Sequence, residues 1–277
     1  IAGGAGLFSV TVLPGPSAAA NSSFTVSAKT ITAGDPFLVH VTAHDKFGNL
    51  QDYSPTGNLL EDCHISIASA GGEKTSVFVA TKFSDAGRLL GNITKDSVVT
   101  RGSNFISITF GNDPAIVTKG DRVVEVLPGP FSASAATPTP PEEGTAYGSF
   151  VMFVTPRDAH GNPLAATRRR AHGDSAVDVR SAASSPPIVN YAIDKPSDPL
   201  VAAQIPSGYT ELSSGKWLYV ANVAFVNNAW KVESALTLAG TYTVNITLPD
   251  ALGQHVHARS SPMQHVLAPG PADATKT

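Results

Sequence analysis

Apolar and polar residues alternate along most of this chain with a period of two. In Phe37-Leu38-Val39-His40-Val41-Thr42 every second residue is apolar, and the same beat runs through Cys63-His64-Ile65-Ser66-Ile67 and Tyr242-Thr243-Val244-Asn245-Ile246-Thr247-Leu248. Successive side chains of a strand point to opposite faces, so such runs are half-buried strands. No window sustains the i, i+3, i+4, i+7 stripe of an amphipathic helix. The pattern therefore predicts an all-β protein. Over 14–127 it predicts seven strands, A to G, at 24–27, 36–43, 63–68, 75–80, 88–94, 104–110 and 122–126. Seven short strands separated by turn residues describe a β-sandwich of about a hundred residues. Over 128–268 the order repeats, with B at 150–155, C at 177–179, D at 188–193, E at 217–225 and F at 240–248. The extra length of this second unit, at 194–216 and 226–238, reads as loops at the ends of a sandwich.

A short motif marks the joints. Val12-Leu13-Pro14-Gly15-Pro16 recurs as Val126-Leu127-Pro128-Gly129-Pro130 and again as Leu267-Ala268-Pro269-Gly270-Pro271. Proline on both sides of glycine removes two donors and stops a strand, while glycine leaves one permissive position, so the motif reads as a linker. The expected organisation is a terminal strand of a preceding unit at 1–13, one unit at 14–127, a second at 128–268, and the start of a further linker or repeat at 269–277. A second motif follows strand B in each unit. It is Asp45-Lys46-Phe47-Gly48-Asn49 in the first and Asp158-Ala159-His160-Gly161-Asn162-Pro163 in the second. In it, Asp can accept bonds from backbone donors two residues on, and Gly-Asn supplies positive φ.

Composition narrows the classes. A net charge of −3 with 15% charged residues gives no electrostatic case for nucleic acid or an anionic membrane. No run of about 18 apolar residues is present, which would be needed for a spanning helix. The single cysteine, Cys63, excludes an internal disulfide framework and reads as a small core residue.

Few residues invite a chemical reading. Cys63 and His64 are adjacent in a strand and so point to opposite faces, which prevents a dyad. No catalytic residue, cofactor-binding residue or cofactor is expected, and the chain reads as a non-enzyme. Asp45 and Asp158 match in position, but one carboxylate is too few for a calcium ion, and the turn accounts for them. His255 and His257, at i and i+2, share a strand face and are the candidates for a transition-metal pair, with Asp250 and His265 as further ligands. No metal site is assigned on them, because an exposed strand face near the domain junction is the favoured reading of the pair. Arg168-Arg169-Arg170 is a basic run on a loop. Three Asn-x-Ser/Thr sequons, at Asn21, Asn92 and Asn245, are expected glycosylation sites. The alternation sends Val244 and Ile246 inward and Asn245 outward.

These motifs together carry a resemblance. Asp-x-x-Gly-Asn after strand B, Ala239-Gly240-Thr241-Tyr242-Thr243-Val244 for strand F, and Ser261-Pro262 before Pro269-Gly270-Pro271-Ala272-Asp273 resemble the filamin-type immunoglobulin-like repeat. That repeat occurs in filamins and in plant and algal gamete-surface adhesion proteins. Unit one departs from it, with Asp45-Lys46-Phe47 in place of Asp-Ala and no Ser-Pro before strand G. The resemblance implies two tandem β-sandwiches with a structural, protein-binding role, and it implies binding by addition of a partner strand in the groove between strands C and D. That groove maps onto Ile65, Ile67, Val77 and Val79 in unit one, and onto Val177, Val179, Ile188 and Tyr191 in unit two. The function expected is that of a cell-surface or extracellular adhesion module, with an intracellular cytoskeletal or ciliary scaffold as the alternative. The expected partners are a protein bound through a sheet edge or end loops, and neighbouring repeats. Neither nucleic acid nor direct membrane insertion is expected.

Overall fold

The computed structural model describes residues 12–51, 63–70, 74–79, 81–82, 88–111, 115–164, 186–195 and 205–270. The chain divides into two compact units, Ile1–Leu127 and Pro128–Thr277, each an all-β sandwich. The Arg168-Arg169-Arg170 run, the expected strand at 177–179 and nearly all of the expected strand at 1–13 lie outside the described residues.

Unit one comprises β1 (Ser23–Val26), β2 (Thr30–Thr32), β3 (Phe37–Thr42), β4 (Cys63–Ser69), β5 (Lys74–Val79), β6 (Thr81–Lys82), β7 (Arg88–Ile93), β8 (Gly102–Phe110), β9 (Lys119–Gly120) and β10 (Val123–Leu127). One sheet has the order β6-β7-β3-β1-β9, the other β2-β10-β8-β4-β5. All seven expected strands are present to within two residues. The first strand is shared between the sheets. β1 pairs antiparallel with β3, and after a short break β2 pairs parallel with β10. This is the immunoglobulin-like strand order. Phe37, Val39 and Val41 on one sheet face Ile65, Ile67, Ile106 and Ile108 on the other, all buried. The short β2, β6 and β9 carry too few residues to show a period, and the alternation did not reveal them.

Unit two comprises β11 (Phe131–Pro138), β12 (Gly144–Thr145), β13 (Gly148–Asp158), β14 (Ile188–Asp194), β15 (Tyr209–Glu211), β16 (Lys216–Val220), β17 (Asn222–Val226), β18 (Ala229–Leu236), β19 (Gly240–Pro249), β20 (His255–His257) and β21 (Met263–Ala268). Its sheets are β11-β13-β18-β17 and β12-β21-β19-β14-β16-β15, with β20 also on β19. Four expectations are corrected here, the first being that 194–216 is loop, since β15 (Tyr209–Glu211) lies within it and pairs with β16. The segment at 188–193 is not strand D. As β14 it pairs with β19, the place that β4 takes beside β8 in unit one. The run at 217–225 is not one strand. It breaks at the small, buried Ala221, and β16 and β17 belong to opposite sheets. Because the inward-facing parity is kept as the chain rounds the edge of the core, a period of two cannot reveal the switch. Residues 226–238 are not a loop but contain β18, in register with β13 from Gly148↔Leu236 to Val154↔Trp230. Lys231 and Glu233 on its outer face, and a buried Ser234 among Trp230, Val232 and Leu236, blurred the signal. The β17–β18 hairpin turns on Asn227 and Asn228, both at positive φ, as a two-residue turn of this kind requires.

The two units share a corner built from different side chains. After Gly240, the buried Tyr242 hydroxyl donates to the Leu238 carbonyl at 2.9 Å and meets the Tyr209 hydroxyl at 2.8 Å. This is the tyrosine corner of immunoglobulin-like sandwiches. After Gly102, the matching residue of unit one is Asn104, whose amide donates to the Thr100 carbonyl at 2.9 Å and to that of Gly102 at 3.0 Å. Both corners reach back four residues. Replacing Tyr242 with Phe leaves the Leu238 carbonyl without this donor. It is expected to lower the stability of unit two by about 1–2 kcal/mol while leaving unit one unchanged, as read from separate urea transitions.

Candidate functional site

The two turn aspartates each collect four hydrogen bonds. Asp45 Oδ1 accepts from the backbone N–H of Phe47 and of Asn49, both at 2.9 Å. Its Oδ2 accepts from the Asn49 side-chain amide at 2.9 Å and from the N–H of Gly15, 30 residues upstream, at 3.0 Å. Asp158 repeats the arrangement in unit two. Oδ1 takes His160 N–H at 2.9 Å and Asn162 N–H at 2.8 Å, while Oδ2 takes the Asn162 amide at 2.8 Å and Gly129 N–H at 2.7 Å. Gly48 and Gly161 hold the positive φ that closes each turn. Four N–H donors therefore meet each carboxylate, which explains why the position is Asp and leaves it occupied as a turn lock. Asp250 holds a third turn of the same form, accepting from Leu252 N–H at 2.8 Å and Gln254 N–H at 2.9 Å around Gly253.

These locks revise the reading of the Pro-Gly-Pro motif. Gly15 and Gly129 are not free positions of a linker, since each donates into the unit that follows it. Gln51 adds a side-chain bond to the Gly15 carbonyl. The pairing was missed because nothing local to either motif announces it. The available signal was the near-equal spacing of glycine and aspartate in the two units.

The lock also involves one sequon. Asn21 is half-buried, and its side-chain nitrogen donates to the Asp45 carbonyl at 2.9 Å. Ser22 beside it is fully buried, bonded to the Ala18 carbonyl at 2.8 Å and to His44 N–H at 3.1 Å. Asn92 is exposed on β7. Asn245 is half-buried on the outer face of β19, opposite Asn190 of β14, and the neighbouring strands of this sheet present the exposed Ile188, Val220 and Val266.

The histidines separate. His255 and His257 are both exposed on β20, opposite Pro249 and Thr247. His265 lies opposite Tyr242, about 23 Å along β19 from His255 at ~3.3 Å per residue. It is buried, with its ring edge-on to Phe150 at 5.0 Å and near Tyr191 at 6.2 Å. Asp250 is committed to its own turn. The structure therefore does not bring Asp250 or His265 to the His255–His257 pair. Among the described residues, no group of three His, Cys, Asp or Glu side chains is placed to hold a metal ion. Cys63 is buried in the core with its thiol pushed up to about 12 by desolvation, and half-buried His64 faces the other way.

The groove implied by the family resemblance is filled by the chain itself. The outer edge of β4 is paired with β5, and that of β14 with β16 and then β15. Ile65, Ile67 and Tyr191 are core residues, and Ile188 is on an outer face. The side chains of Val77, Val79, Val177 and Val179 lie outside the described residues. Among the described strands of unit two, β11, β12, β15 and β17 end their sheets with one partner each. No helix among the described residues is long and apolar enough to cross a membrane.

With strand order and turn locks in view, the comparison with known folds is direct. Both units are immunoglobulin-like β-sandwiches, the fold implied by the filamin-type resemblance. No family model and no curated protein matches the chain. Among solved structures it is similar to FdeC, an Escherichia coli adhesin, at 18% identity over 94% of this chain and 68% of that one, with a TM-score of 0.38. It is also similar to the Lin-41 filamin domain, at 16% identity over 40% of this chain and 96% of that one, with a TM-score of 0.29. A third likeness is to Salmonella alpha-2-macroglobulin, at 12% identity over 95% of this chain and 15% of that one, with a TM-score of 0.28. At such identities and overlaps the likenesses say nothing about partners, and the fold is read from the strand order.

Two pH effects follow. The Asn49 amide, with the N–H groups of Gly15, Asn49 and Phe47, holds the Asp45 carboxyl down at about 2 against its ordinary 3.8, although burial pulls the other way. A carboxyl lowered by folding stabilises fully above its unfolded value. Unit one should therefore lose this contribution as pH falls from about 4 to about 2, and Asp45→Asn should flatten that part of its acid-unfolding profile. His265 behaves in the opposite chemical sense. Burial holds its imidazole below the ordinary 6.5, against a smaller opposing pull from the Glu142 backbone. The neutral ring is the folded form, so unit two is expected to weaken progressively as pH drops below about 6.5. The slope should be reduced in His265→Phe, as measured by thermal melts between pH 7 and pH 5.

Proposed function

We propose that the chain is a two-unit stretch of a tandem array of filamin-type sandwiches, serving as a non-enzymatic adhesion module at the cell surface or outside the cell. The observation that carries this reading is the repeated lock. The same aspartate in each unit ties down the Pro-Gly-Pro segment that leads into it, so tension along the chain enters each sandwich through a backbone hydrogen bond to that carboxyl group. The other buried groups of reactive type have structural roles as well. Cys63 fills core space, and His265 packs among aromatic rings. In this reading, 1–13 is the last strand of a preceding sandwich and Pro269-Gly270-Pro271 opens a further one. A protein partner binds through an end strand or end loops rather than through the C-strand edge.

N-glycosylation is the modification that fits this location. Asn92 presents its amide to solvent, and Asn245 presents a glycan to the outer face that carries Ile188, Val220 and Val266. The Asn21 nitrogen is committed to the lock. The experiment is peptide mapping of the protein from its native source, with N-glycans removed enzymatically in heavy-oxygen water to mark each occupied site. Label at Asn92 and Asn245 with none at Asn21 is expected. Full coverage with no label at any of the three sites would turn the reading to the intracellular scaffold.

A further inference from the structure

We propose that Tyr147 is the contact by which the second sandwich grips the unit that follows it, packing against that unit's Asp-x-x-Gly-Asn turn. This inference rests on the array reading above. The β12–β13 turn of unit two and the β2–β3 turn of unit one are built alike. Ala146 N–H donates to the Ala268 carbonyl at 2.9 Å and Ala33 N–H to that of Leu127 at 2.8 Å, so each turn is clipped to the last strand of its unit just before Pro-Gly-Pro. The next N–H is also bonded in both turns, from Tyr147 to Leu236 at 2.8 Å and from Gly34 to Val98 at 3.0 Å.

The residue at that position differs. Unit one places glycine there, at φ 87°, where a left-handed backbone is unstrained. Unit two places tyrosine, at φ 67°. The other described non-glycine residues with positive φ are Asp96, Asn227, Asn228 and Ser260, all small and polar, whereas a bulky side chain in this region is a true outlier. Local folding does not require the ring. Its neighbour unit builds the same turn without one, and the ring is 77% exposed rather than packed in the core. Strain of this kind persists where a contact uses it.

The position of the ring indicates what it meets. A Cβ built on Gly270 would lie 3.9 Å from Tyr147 Cδ2 and 3.3 Å from the Ala146 carbonyl, so the ring stands beside the chain as it leaves unit two. In both units described here, the glycine of Pro-Gly-Pro donates to the turn aspartate of the sandwich it leads into. By the same rule Gly270 N–H draws the turn of the following sandwich to this spot. Tyrosine suits that surface, since its face covers proline and turn side chains while its hydroxyl reaches backbone polar groups.

The test compares the 277-residue chain with its natural sequence extended by about 100 residues, one sandwich. Both are treated with a tyrosine-nitrating reagent and, separately, with a protease. Tyr147 should nitrate readily in the shorter chain and at least about tenfold more slowly in the longer one. Tyr147→Gly should raise the melting temperature of unit two in the shorter chain, and it should speed cleavage around residue 270 in the longer one. Equal nitration in both chains, although a protease-resistant unit lies beyond residue 277, would overturn the inference alone. Absence of any resistant unit there would overturn the array reading, and the inference with it.

Discussion

The oxygens of a carboxyl group buried in a sandwich must be met by donors, and that requirement organises both units. Asp45 and Asp158 each gather four N–H groups from three sources: the turn backbone, one Asn side chain and a glycine about 30 residues upstream. The end of strand B, the B–C turn and the start of the chain segment thus become one object. Removing any one donor leaves a carboxyl oxygen less satisfied, so the three sources depend on one another. A neutral side chain of similar size lacks the acceptor capacity. The turn sequence is constrained for the same reason, because Gly48 and Gly161 must take positive φ for the third N–H and the carboxylate to face each other.

Around this fixed end the sandwiches vary widely. The corner after strand E is closed by Tyr242 in one unit and Asn104 in the other, yet both side chains donate to a carbonyl four residues back. The larger tyrosine brings Tyr209 with it and forms part of an aromatic group with Tyr191, Tyr219 and His265. The described core of unit one is built mainly of Ile, Val, Phe and Ala, without Tyr or Trp. What is preserved is a donor at a given backbone position, while the side chain that delivers it follows the volume the core has to fill.

Most strands were legible because each has one buried face, and period two reports that face directly. The alternation located Phe37, Val39, Val41, Ile65, Ile67, Val244 and Ile246 on the inside, where all are buried. It failed where inside and outside are not the deciding variables. Passing from β16 to β17 changes sheets without changing parity, and β18 carries a serine where the pattern calls for a hydrophobe. The candidate site shows the same division. Spacing in sequence placed His255 and His257 on one face of one strand, which is a local property. Whether His265 joins them depends on register along β19 and on which face it takes, neither of which is local, while Asp250 stands beside them but is committed to its own turn. The lock was hidden for a related reason, since its two halves are far apart in sequence and only the fold brings them together.

The C-strand edge shows how one fold can change its mode of contact. A sandwich whose C strand is left unpaired offers main-chain donors and acceptors to an added strand. Here β5 takes that edge in unit one, and β16 with β15 takes it in unit two, so the hydrogen-bonding groups a partner strand would use are satisfied within the chain. What both sandwiches still expose are their outer faces, their turns and the free edges of their end strands. These are also the places where the two units differ most, as in Gly34 against Tyr147 and Phe47 against His160, while the locks that set their framework are the same.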